Sequence, residues 1–177
     1  MSLASLFRPR PAKQAAAKLY AAAVSAARRP ALYTALGAPD TPEGRFELYT
    51  LHILLLIERL RGHGPAAGET SQALFDTYIR GLDDGLRELG VADTSIGKKM
   101  RRLGEAFYGR GKSYEAAIAA LPDAGPLSAF LRRTVYAGRQ DAPVDRLAED
   151  LLAQRAALAA FPGERLVAGE TPWEPRS

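Results

Sequence analysis

The sequence predicts an all-α fold: a single compact domain of about six to seven helices with a flexible C-terminal tail. Three observations predict it. Apolar residues recur at steps of three and four along most of the chain, the spacing that keeps them on one helix face. No segment alternates apolar and polar residues as a half-buried strand does. Glycine and proline gather in short clusters that punctuate the helical runs.

Taken in order, residues 1–11 read as a flexible basic N-terminus, 12–161 as the helical domain and 162–177 as the tail. Residues 12–28 are strong helix formers, ended at Arg29-Pro30 because proline disfavours a helical residue before it. A short helical piece near 31–36 leads into the turn "GAPDTPEG" at 37–44. A long helix is expected over 43–61, closed by "GHGP", and another over 69–89, stopped at Gly90, the residue type that best tolerates the left-handed conformation. Asp93 or Thr94 is the expected cap of a helix from 95 towards 121, with Gly109 and Gly111 as candidate breaks. Helices near 126–137 and 143–161 complete the body, and Trp173 is placed to pin the tail to the surface.

Three helices have readable faces. Over 95–121, Ile96, Met100, Leu103, Phe107, Tyr114, Ile118 and Leu121 fall within about a 60° arc. Lys98, Arg101, Arg102 and Lys112 lie opposite, with Lys99 and Arg110 on a flank; six cations against Glu105 alone lack the alternating signs of a self-paired face. Over 43–61 there are two apolar stripes, Phe46-Tyr49-Ile53-Leu56-Leu60 and Leu48-Leu51-Leu55, so this helix is expected to be central. Arg45, His52 and Arg59, seven apart, form a polar seam between the stripes. A buried cation needs a partner, so a carboxylate is expected beside the seam, Asp40 or Asp83 being the candidates. Over 69–89, Phe75, Tyr78, Ile79, Leu82, Leu86 and Leu89 point inward, while Asp76–Arg80 and Asp83–Arg87 make i,i+4 pairs outside.

Composition narrows the function. Cysteine is absent, which excludes disulfides, thiolate nucleophiles and iron–sulfur ligation, and two histidines, His52 and His63, do not make a histidine metal cage. No metal, cofactor or catalytic residue is expected. "GRGK" at 109–112 lacks the upstream glycine of a phosphate loop. Asp83 and Asp84 point about 100° apart and do not form a proton-sharing dyad, and Ser113 beside Lys112 reads as a cap rather than a nucleophile. No run is apolar for the ~20 residues of a membrane span. The whole chain carries +4, yet residues 1–29 hold +6 and residues 98–112 hold +5, so two basic zones ride on an acidic remainder. That pattern suits an anionic partner: RNA, lipid headgroups or an acidic protein.

Two segments carry a family resemblance. "PDTPEGRFELYTLHILLLIERL" at 39–60 and "FDTYIRGLDDGLRELGVADTSIGKKMRRLGEAFYGRGKSY" at 75–114 resemble the conserved blocks of the ubiquinol–cytochrome c chaperone family. In the first block Asp-Thr, Gly-Arg-Phe and Leu-His recur. In the second the matching residues are Asp83, Leu86 to Glu88, Gly90-Val91, Asp93, Lys98 to Met100 and Phe107 to Arg110. The resemblance spans roughly residues 19–135. The family often carries an acid where Gly81 stands and methionine where Leu82 and Leu89 stand.

The resemblance implies a non-enzymatic assembly chaperone for respiratory complex III that receives newly made cytochrome b. It would act in the cytoplasm at the periphery of the inner membrane, or in the mitochondrial matrix if the source is eukaryotic. The implied partners are cytochrome b, the ribosome or an anionic membrane surface, and a second small assembly factor; DNA is not among them. Lys98, Lys99, Arg101, Arg102 and Lys112 are the expected partner-binding cations, with Phe107, Tyr108 and Arg110 on the rim of an apolar groove. The competing reading is a basic RNA- or ribosome-associated helical module unrelated to respiration.

Overall fold

The computed structural model describes residues 11–173. The N-terminal cations Arg8 and Arg10 and the last four residues lie outside the described residues. Within them the chain forms eight helices and no strand: α1 (Pro11–Ala27), α2 (Pro30–Thr34), α3 (Pro42–Leu60), α4 (Gly64–Glu88), α5 (Asp93–Ala119), α6 (Gly125–Thr134), α7 (Val144–Ala160) and α8 (Gly163–Val167).

The centre is α3. Thr41, in extended conformation, accepts a hydrogen bond from the Gly44 N–H at 3.1 Å, and Pro42 occupies the first turn, where its missing donor costs nothing. A side-chain carbon at Gly44 would collide with the Pro39 carbonyl oxygen, which explains the glycine in "GRF". Both apolar stripes are covered: Leu48, Leu51, Ile53, Leu55, Leu56 and Leu60 are buried, with α1, α4, α7 and α8 packed around them. Helix α1 approaches closely because its inner face is Ala15, Ala16, Ala23 and Ala26 around Leu19.

Helices α4 and α5 form an antiparallel pair turned at Gly90, whose φ of 77° is left-handed. Near α3 the pair is rooted by Leu74, Tyr78, Phe107 and Tyr114, all buried. Towards the turn it becomes an arm. Between residues 82 and 103 only Ile96 is buried, while Leu82, Leu86, Met100 and Leu103 are half-buried. Leu89, expected to point inward, is 69% exposed: α4 ends at Glu88, and Leu89 is its C-cap residue at the turn.

Local differences from expectation have local causes. Helix α4 begins at Gly64, not 69, since Pro65 is compatible with a first turn. Helix α5 runs unbroken through Gly109 and Gly111; Gly111 faces Leu54, and packing outweighs the weak helix propensity of glycine. Neither Asp93 nor Thr94 caps it: Ala92 is the capping residue, and Asp93 turns back to pair with Arg87. The Asp83–Arg87 pair forms at 2.9 Å, but Asp76 accepts from Gln72 instead of Arg80. Helix α6 stops at Thr134. The segment read as tail is, through Trp173, laid on the body. Leu166 of α8 is fully buried, and the Trp173 ring stacks edge-on against His52 at 5.5 Å, the pinning expected of it.

Candidate functional site: a basic ridge beside an aromatic-floored groove

The outer face of α5 carries the expected cations. Lys98, Lys99, Arg101, Arg102 and Lys112 are exposed and make no ion pair among the described residues. Arg110 does not belong with them. It turns inward, donates through Nε and Nη2 to both carboxylate oxygens of Glu47 on α3, and lies over the Phe46 ring at 5.4 Å. A half-buried guanidinium with a buried carboxylate beside it satisfies that acid rather than meeting a partner.

Phe107 is also not a rim residue. At 5% exposure it is the hinge of an aromatic series crossing four helices. Centroid separations are 5.6 Å for Tyr20–Tyr49, 5.2 Å for Tyr49–Tyr78, 5.1 Å for Tyr78–Phe107, 5.0 Å for Phe107–Phe75 and 5.7 Å for Phe75–Tyr108. Such tilted pairs add packing energy beyond area burial. The series ends at the surface with Tyr108, which is 67% exposed.

The outer end of the series floors a groove. It has a volume of about 420 Å³ and lies between the C-terminus of α3, the first half of α4 and the middle of α5. Ile57, Leu60, Phe75 and Phe107 make its base, and Gly64, Gly68 and Ser71, spaced four and three along α4, leave one wall low. Its charged lining residue is Arg61, already paired with Glu115 at 2.6 Å. On the other flank of α5 a second cleft of about 320 Å³ has a mixed lining, with Ala106 and Phe130 beside Arg110, Ser113, Arg133 and Thr134. So Tyr108 stands at the edge of the apolar groove and Phe107 in its base, while Arg110 lines the second cleft.

The expected seam of Arg45, His52 and Arg59 divides into three roles. Arg45 pairs with Asp40 at 2.6 Å, as expected, but on the surface. Arg59 uses no carboxylate. Its Nε and Nη2 donate to the carbonyls of Leu158 (2.7 Å) and Phe161 (2.8 Å), placing the cation at the C-terminal end of α7, and Nη1 donates to His63 Nε2. Asp83 pairs with Arg87 on its own helix, away from the seam. His52 is 1% exposed; its Nδ1–H donates to Leu48 O at 2.7 Å, and burial pushes its pKa down to about 4, so it is neutral near pH 7.

Sequence reasoning looked for buried cations on α3 and missed its two inward-paired acids, the buried Glu47 and the half-buried Glu58. Glu47 holds Arg110. Glu58 accepts from Arg155 Nε (2.9 Å) and Nη2 (2.7 Å) and from the Tyr114 hydroxyl (2.6 Å), joining α3, α5 and α7. The signal was present: the two acids are eleven residues apart, about three turns, and so lie on one side of the helix. The departure at Gly81 also has a structural cause, since any side chain there would collide with the Tyr20 hydroxyl. Among the described residues no cluster of acids and histidines has the makings of a metal site, and no helix is long and apolar enough to cross a membrane.

The fold and these surfaces have known counterparts. The family described as ubiquinol-cytochrome C chaperone matches residues 34–173, from the end of α2 to Trp173. The chain belongs to this family. The match includes α8 and the Trp173 contact, beyond the span of the sequence resemblance. The crystal structure of the Cbp3 homolog from Brucella abortus superposes with a TM-score of 0.85 at 34% identity, covering 98% of this chain and 97% of that one. Ubiquinol-cytochrome-c reductase complex assembly factor 1 of Xenopus laevis is 24% identical over 166 residues, 92% of this chain and 82% of the relative.

Proposed function

We propose that this chaperone-family protein assists assembly of ubiquinol–cytochrome c reductase by binding newly made cytochrome b at the periphery of the membrane, without a catalytic step. The observation that carries the reading is the groove: an apolar, aromatic-floored channel beside glycines, in a chain of this family. An apolar client segment seated there would cover Ile57 and Phe75 and approach α4 closely at Gly64 and Gly68, where no side chain stands in the way. Its own apolar surface would be shielded while partner subunits are absent.

The test places a photoreactive residue at Ser71, on the groove wall, or at Glu149, exposed on α7, in cells making cytochrome b. Crosslinks to cytochrome b are expected from position 71 and not from 149, and deletion of the gene is expected to lower complex III. Normal complex III content and normal cytochrome b haem spectra after deletion would refute the proposal. The unpaired cations of α5 favour a second reading, a ribosome-associated RNA-binding module. It predicts that ribonuclease treatment, rather than loss of cytochrome b, empties a pulldown.

A further inference from the structure

We infer that the α4–α5 arm docks on an anionic lipid surface, with the α5 cations on the headgroups and Leu89 and Tyr108 entering the interface. Two independent features coincide on this one element pair. The first is charge. Lys98, Lys99, Arg101, Arg102 and Lys112 stand exposed along the outer side of α5, with Glu105 the one acid among them and no internal carboxylate engaging them among the described residues. The second is exposed apolar surface. The two large hydrophobic side chains left open by the described fold are Leu89, at the tip of this arm, and Tyr108, about 15 Å along α5 from Lys98.

Basic residues interleaved with a leucine and a tyrosine fit a membrane interface: the cations meet lipid phosphates, the leucine is removed from water, and the tyrosine keeps its hydroxyl at headgroup level. RNA would use the same cations and the tyrosine ring, but offers nothing to an exposed leucine. The arm is also polarised. Arg87 neutralises Asp83 and Asp93. Asp84 and Glu88 stand two residues on from Leu82 and Leu86, hence about 200° round α4 from the side packed on α5. Laid down on α5, the arm keeps those acids away from the lipid. Because no described helix spans a bilayer, the contact is peripheral and reversible.

This inference rests on the membrane-peripheral part of the proposed function, but its test needs only the purified full chain and lipid, so its failure leaves cytochrome b capture standing. Binding is measured by co-sedimentation with phosphatidylcholine vesicles with or without phosphatidylglycerol. Wild type is expected to bind the anionic vesicles, to release them as salt rises, and to ignore neutral ones. Each cation near such a surface strengthens binding roughly fivefold, so the combined Lys98→Gln, Lys99→Gln, Arg101→Gln and Arg102→Gln variant should lose several hundredfold. Leu89→Ser should lose roughly tenfold with an unchanged salt slope. Unaltered helical circular dichroism certifies both variants. Equal binding by the four-site variant, no preference for phosphatidylglycerol, or displacement of wild type from anionic vesicles by structured RNA at matched phosphate would each overturn the inference.

Discussion

The body around α3 and the outer half of the α4–α5 arm are both helical and both rich in charge, yet they treat that charge in opposite ways. In the body the long-range ion pairs are mostly drawn inward: Glu47 with Arg110, Glu58 with Arg155 and Asp150 with Arg29 at 2.6 Å are partly buried, while Arg61–Glu115 is exposed. Each joins two distant parts of the body, so neither partner is left over for another molecule. On the arm the pairs are short-range, Asp83–Arg87–Asp93, and the α5 cations are left over. The body also hides its aromatic rings, whereas the arm and the adjoining groove leave Leu89 and Tyr108 open. The contrast separates residues that hold the fold from residues that remain to meet a partner.

The sharpest way to break the comparison is to remove an acid from the body. Glu47→Ala leaves Arg110 half-buried and uncompensated, and is expected to cost about 3 kcal/mol in urea denaturation. Lys99→Ala on the arm should stay within about 0.5 kcal/mol of wild type. Similar losses for the two variants would erase the distinction between them.

The next effect is set by pH. With its folded pKa lowered from 6.5 to about 4, His52 takes up a proton more readily in the unfolded chain. Its contribution to stability is therefore full above pH 6.5 and is lost as pH falls towards 4, by roughly 2 kcal/mol between pH 8 and pH 5. The difference in unfolding free energy between wild type and His52→Gln, followed over that range, should shrink by about this amount as the pH falls. A difference that stays constant would mean His52 is not held neutral by burial.

Much of this arrangement was legible in the sequence, for a physical reason. Burial of α3 follows from two leucine stripes, and the inner face of α5 from a repeat of three and four, both local patterns that a helix converts directly into geometry. The free cations of α5 followed from their unbalanced sign. What escaped depends on distant partners. Nothing within a turn of Arg110 shows that Glu47, 63 residues earlier, draws it inward, and Phe107 reads as stripe or rim equally well until α4 is laid beside it. The start of α4 was misplaced because "GHGPAAGE" has the composition of a loop, while α8 and Trp173 were read as tail because proline and glycine surround them. In each case a tertiary contact outweighs the local propensity.

Hydrogen exchange on the free chain under native conditions tests the division between body and arm most directly. Amides of α3 around Leu55 are expected to exchange only through global unfolding, and those of residues 97–103 through a local opening of clearly lower free energy. Equal protection in the two segments would contradict the account, because the arm would then be as firmly held as the core and not an element set apart for a partner.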